Sequence, residues 1–132
     1  MMSISGVGEA DILVIEFAGF SVRARLLDTP TAAAFRQKVP FTSTVNRWGE
    51  EIYFSTSVTV KIEAGAREVV ERGEIGYWPP GKAMAIFFGP TPASHMDECR
   101  AASPVNVFAR IEGDLARLPS VKDGSKVTVR AG

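Results

Sequence analysis

Gly76-Tyr77-Trp78-Pro79-Pro80-Gly81-Lys82 runs straight into the apolar stretch Ala83–Phe88. This is a strand signal, a stiff Pro-Pro-Gly turn and a second, continuously apolar strand signal in thirteen residues. The prolines remove two backbone donors and stiffen the turn. The unbroken apolar run predicts a strand buried on both faces. A second segment, Trp48-Gly49-Glu50-Glu51-Ile52-Tyr53-Phe54, completes the pattern. The chain has 2 Trp and 2 Tyr, and all four fall inside these two segments. Trp and Tyr combine large contact area with a polar handle, which suits a recognition surface.

Working outward, β signals dominate. Asp11–Phe17 reads as a buried strand, Ala18-Gly19 as a tight turn, and Phe20–Leu26 as a half-buried strand whose apolar residues alternate with Ser21, Arg23 and Arg25. Thr29 can cap a helix and Pro30 suits its first position, which predicts a helix over 31–38 that ends before Pro40. Its apolar members Ala34, Phe35 and Val39 fit one face. Further strands are expected at Val45–Arg47, Glu51–Phe54, Val58–Ile62, Glu74–Trp78, Ala83–Phe88, Val105–Ile111 and Lys126–Arg130. Residues 67–72 read equally as helical or extended. A second short helix is expected around Asp114–Leu118. Many short strands with two helices predict a mainly β, closed or nearly closed barrel capped by helices.

Composition sets the outer bounds. At 132 residues one domain is expected, over 11–132, preceded by a loose Gly/Ser-rich tail at 1–10. The 15 Lys+Arg balance 15 Asp+Glu, and no basic block suggests a nucleic-acid footprint. The single cysteine, Cys99, cannot form an internal disulfide, which fits a reducing compartment. No apolar run reaches the roughly 20 residues of a membrane span, and the N-terminus lacks a signal-peptide pattern. A soluble, cytoplasmic protein without a membrane partner is the expectation.

The two aromatic segments carry a resemblance. Val45–Thr56 and Gly76–Gly89 are similar to a group of small bacterial and archaeal cyclophilin-like proteins. The helix at Thr29–Lys38 and the stretch Val107–Gly113 resemble the early helix and late strand of cyclophilins, the peptidyl-prolyl isomerases. The resemblance spans about Ile12 to Arg130. It implies a closed eight-stranded barrel capped by two helices. It also implies a catalytic arginine, carried over to Arg47, that donates to the prolyl nitrogen and so weakens amide resonance. Phe88 then becomes a proline-pocket wall. The remaining pattern departs: Ile52, Tyr53 and Ser55 stand where Phe, Met and Gln are expected, and Val105 stands at a pocket-histidine position.

Read as residues, the candidates carry alternatives. Glu51 and Tyr53 share one strand face, and Ile52 and Phe54 share the other, which should be core. Glu51 is either a pocket carboxyl or a solvated acid, whereas Glu50 reads as a turn acid. Arg47 is either a pocket donor or an outward arginine in a surface pair. Tyr77 and Trp78 form either an aromatic rim or packing on a barrel end. Asn46 and Asn106 suit buried asparagines that bond loop backbone. His95-Met96-Asp97-Glu98-Cys99 matches no metal-ligand spacing, and no cofactor motif occurs. The leading expectation is a pocket formed by Trp48, Glu51, Tyr53, Tyr77, Trp78 and Phe88 that binds a small molecule or a proline-containing peptide. The alternative is a weak peptidyl-prolyl isomerase that uses Arg47.

Overall fold

The computed structural model describes residues 11–132; the tail expected at 1–10 lies outside the described residues. Ten strands are formed: β1 (Ile12–Phe17), β2 (Phe20–Leu26), β3 (Phe41–Thr44), β4 (Asn46–Arg47), β5 (Glu51–Ser55), β6 (Arg67–Val70), β7 (Glu74–Trp78), β8 (Ala83–Phe87), β9 (Cys99–Glu112) and β10 (Lys126–Ala131). They make one antiparallel sheet in the order β3-β10-β1-β2-β9-β7-β8-β5-β4, with β6 paired to β9.

The ladder path ends at β3 on one side and β4 on the other, so ladder pairs do not complete the expected ring of eight strands. The two ends are nonetheless successive pieces of chain, separated only by the buried Val45. The Val45 amide donates to the Ser125 carbonyl (2.8 Å), and the Val45 carbonyl accepts from the Gly124 amide (2.8 Å). The sheet therefore curls until one segment serves as both ends.

One α-helix, α1 (Pro30–Lys38), covers the core. Thr29 caps it, its hydroxyl accepting from the Ala32 amide at 3.0 Å. Phe35 is the buried anchor. Its ring stacks on Phe108 (4.2 Å between centroids) and meets Tyr77 edge-on (6.0 Å). The second expected helix, Asp114–Leu118, is a correction: no α-helix forms there, the Leu118 amide donates to the Leu115 carbonyl (3.1 Å), and only Leu118–Ser120 forms a 3-10 turn. Val58–Ile62 is also not a ladder strand. Asn106 reaches across it instead, accepting from the Glu63 amide (2.8 Å) and donating to the Lys61 carbonyl (3.0 Å). That is the loop-bonding role expected of a buried asparagine.

The interior of the curled sheet is one large apolar cluster containing Leu13, Ile15, Phe35, Ile52, Phe54, Ile75, Tyr77, Met84, Phe88 and Phe108. A smaller cluster lies on the opposite face of β5, β7 and β8. There Val70, Ala85, Phe87, Cys99, Ala101 and Val105 are closed in by the first half of β9, with Tyr53 and Trp78 packed against them. The candidate site opens at the edge of this second cluster.

Candidate functional site

The site begins at a tight turn. Trp48 and Glu51 exchange both backbone hydrogen bonds (3.0 and 3.2 Å), so the side chains of this facing pair project to the same side of the sheet. Gly49 completes the turn with φ +61, a left-handed conformation that glycine adopts without strain. A Cβ there would also lie 2.9 Å from the Cα of Thr91, so the close approach of the next loop excludes a side chain. That loop fixes the turn in place through Glu50 N–H to Pro90 O (2.9 Å) and Phe88 N–H to Glu50 O (3.0 Å).

From this turn, Trp48, Glu51 and Tyr53 face a concave pocket of about 270 Å³, completed by Trp78, Ala83, Ala101, Ala102 and Val105. The hollow exists because small side chains stand opposite large ones: three alanines face three aromatic rings. Trp78 is a fixed wall. Its indole N–H donates to the Ser103 hydroxyl at 2.7 Å. Behind the ring lies Gly81, where an added Cβ would fall 2.7 Å from Cζ3 and 2.8 Å from Cε3. Gly81→Ala should therefore tilt the indole off Ser103. We expect a loss of about 1–3 kcal/mol, typical of overpacking. The Trp78 indole N–H resonance should move in a ¹H–¹⁵N spectrum while that of Trp48 stays in place. An unmoved Trp78 signal would show that the wall has slack.

Glu51 supplies the chemistry. Its side chain is buried, with the residue 7% exposed. Its Oε1 is sealed from solvent and makes no hydrogen bond to any described residue. Burial pushes the carboxyl up from its usual 4.5 to about 8, so it is a neutral acid at physiological pH. A neutral carboxyl donates and accepts, and a carboxylate accepts only. An apolar, aromatic-walled hollow with one unpaired, pKa-shifted carboxyl is an arrangement typical of binding or active sites.

The other expected site residues lie elsewhere. Tyr77 is a correction: it is 1% exposed in the main core, and its hydroxyl donates to the Val58 carbonyl at 2.7 Å. Phe88 is a second correction, buried in the same core. Arg47 points away from the pocket. Its guanidinium donates to the carbonyls of Gly49 (3.0 Å), Pro119 (3.2 Å) and Val121 (2.7 Å), and lies 5.2 Å from the centroid of the Phe88 ring. It clamps the β4–β5 turn to the chain before β10. Val105, by contrast, does line the pocket, at the position where the resemblance sets a histidine. Ala83, Ala101 and Ala102 went unread because small residues carry no chemical signal. Among the described residues, no group of three His, Cys, Asp or Glu side chains is placed to hold a metal ion. No helix among them is long and apolar enough to cross a membrane.

A family model described as cyclophilin-like matches residues 11–130. The chain belongs to the cyclophilin-like family. Among solved structures, the chain is similar to a hypothetical protein of Archaeoglobus fulgidus known from its solution structure. The two are 39% identical, the match covers 96% of this chain and 99% of that one, and the TM-score is 0.79. No curated protein matches. Membership in the cyclophilin-like family accounts for the curled sheet, the early helix and the late strand. The pocket residues have to be read on their own chemistry, because a shared fold does not transfer an activity.

Proposed function

We propose that this cyclophilin-like domain is a binding module whose pocket takes a small organic molecule or a single side chain of a short peptide. The observation that carries the reading is Glu51. A buried carboxyl without a partner weakens a fold, since burying a polar group without a compensating hydrogen bond costs about 1–3 kcal/mol. A ligand that bonds to it recovers that loss. At about 270 Å³ the hollow lies at the small end of ligand pockets, so it suits a head group better than an extended peptide. Its concavity also argues against a flat protein-docking patch. Turnover of prolyl bonds through Arg47 gains no support, because three backbone carbonyls hold that guanidinium away from the pocket.

The test is a ¹H–¹⁵N titration with a panel of small organic fragments and a proline-containing peptide, following the two indole N–H signals. Binding should shift both Trp48 and Trp78, with the largest backbone changes at Glu51, Tyr53 and Ala101. A panel that leaves both indoles unmoved at millimolar concentration would overturn the reading.

A further inference from the structure

Resting on the pocket reading above, we infer that the ligand is an organic cation, an alkylated ammonium head group held by the Trp48, Tyr53 and Trp78 rings and the Glu51 carboxylate. Four observations converge on this class. Three aromatic rings face one small hollow, and the face of each ring carries the negative end of its quadrupole. Among the described residues, Glu51 is the one carboxyl in the lining, and no Lys or Arg lines the pocket. That carboxyl has an oxygen sealed from solvent and without a hydrogen-bond partner among the described residues. The rest of the lining is Ala and Val, which suits the methyl or methylene groups of an alkylated ammonium. Such a cation gives up less hydration on burial than a primary ammonium, which is strongly hydrated.

The surrounding charges leave Glu51 as the titrating group. On its own strand, Tyr53 is the other ionisable side chain in the lining. In the turn, Arg47 is clamped by backbone carbonyls, and Glu50 is exposed with its carboxylate over Gly89. At the start of β8, Lys82 is exposed outside the lining. From β9, Arg100 is paired with Glu68 (2.9 Å) and Glu98 (2.7 Å). The Cys99 thiol is buried and pushed up by that burial, so it stays neutral. Burial is the cause of the Glu51 shift, with no charged neighbour contributing. An entering cation reverses the balance: Glu51 gives its proton to solvent and pairs with the ligand as a carboxylate.

The experiment compares choline with 3,3-dimethyl-1-butanol, its neutral isostere, on the full chain, with the two indole N–H signals as readout. Above about pH 8, choline should bind at least about tenfold tighter than the isostere. On the acid side of the Glu51 titration, choline affinity should rise about tenfold per pH unit, while isostere affinity should not rise with pH. Glu51→Gln should remove that slope and lower choline affinity by about tenfold at high pH. A parallel arm with a trimethyl-lysine peptide separates a free head group from one carried on a chain, and either one binding supports the cation class. If the isostere binds as tightly as choline, or choline affinity does not change with pH, the cation inference falls and the pocket reading survives. If the cations fail but neutral fragments shift the indoles, the same holds. If nothing shifts them, both fall.

Discussion

Raising the pH from about 4.5 to about 8 should destabilise this protein by about 5 kcal/mol, and Glu51→Gln should abolish most of that loss. The folded state holds the Glu51 proton far more tightly than the unfolded chain does. Below the unfolded value of 4.5 the acid is neutral in both states and imposes no ionisation penalty. Between 4.5 and about 8 the unfolded chain ionises and the folded one does not, so stability falls by about 1.4 kcal/mol per pH unit. Above about 8 both forms are ionised and the curve levels. Gln has nearly the same shape and no titration, so its curve should stay flat over that window. Urea unfolding at several pH values measures this directly. Parallel curves for the two proteins would show that Glu51 titrates normally and is solvated. The same slope would mark Glu51 as a residue that lowers stability, as expected where function and folding compete.

The second large effect concerns Glu74, whose environment is the opposite. Its carboxylate is 1% exposed and fully engaged. Arg67 grips it with two bonds (3.0 and 3.1 Å), Arg110 adds a third (2.9 Å) and the Glu71 amide a fourth (2.8 Å). Burial alone would raise this carboxyl. The Arg67 hydrogen bonds, the Glu71 amide and the charges of Arg67 and Arg110 outweigh it and hold the group below the usual range. This one side chain ties β6, β7 and β9 together. Glu74→Ala should cost about 3 kcal/mol, the lower end of the range for breaking a buried pair, because both arginines are half-exposed and can turn to water. A shift in the urea midpoint worth less than about 1 kcal/mol would mean the cluster behaves as a surface pair. The sign with pH is also opposite. Glu74 contributes stability above its unfolded value, and that contribution is lost as pH falls through its depressed folded value. Together the two glutamates place the stability maximum on the acidic side of neutral.

Which parts of the structure were legible in the sequence follows from which residues carry a periodic or capping signal. The continuous apolar run of β1, the alternation of β2 and the Thr29-Pro30 helix start all announce themselves locally. β3 does not. Phe41-Thr42-Ser43-Thr44 is short and polar, and becomes a strand because β10 supplies a ladder, with Thr42 and Thr128 hydroxyls 3.2 Å apart across it. The first half of β9 was hidden because Ala101 and Ala102 give no contrast between faces. Asp114–Leu118 resembled a helix by its two leucines, but Pro119 has no N–H to bond back to the Leu115 carbonyl, and only the short 3-10 turn Leu118–Ser120 forms.

In the site, strand parity decided the outcome. Adjacent strand residues point to opposite faces, so Trp78 in the pocket puts Tyr77 in the core, and Trp48 in the pocket turns Arg47 away. The same parity separated Glu51 from Ile52 correctly. What the sequence could not show was the depth of burial at Glu51. That depends on the Ala101–Val105 stretch of β9 folding over it from some fifty residues away.

The position of β10 has a consequence for how the molecule comes into being. β10 lies between β1 and β3, and pairs Ile15 with Val129 on one side and Phe41 with Val129 on the other. It is an interior strand made from a late stretch of chain. During synthesis, β1 and β3 would each leave the ribosome with one hydrogen-bonding edge unpaired, and the curl of the sheet could not be set until Lys126–Ala131 arrived between them. Chain made up to that point is a set of exposed strand edges without a finished interior. Assembly of this fold is therefore expected to be a late, nearly all-or-none event rather than a progressive winding from its beginning.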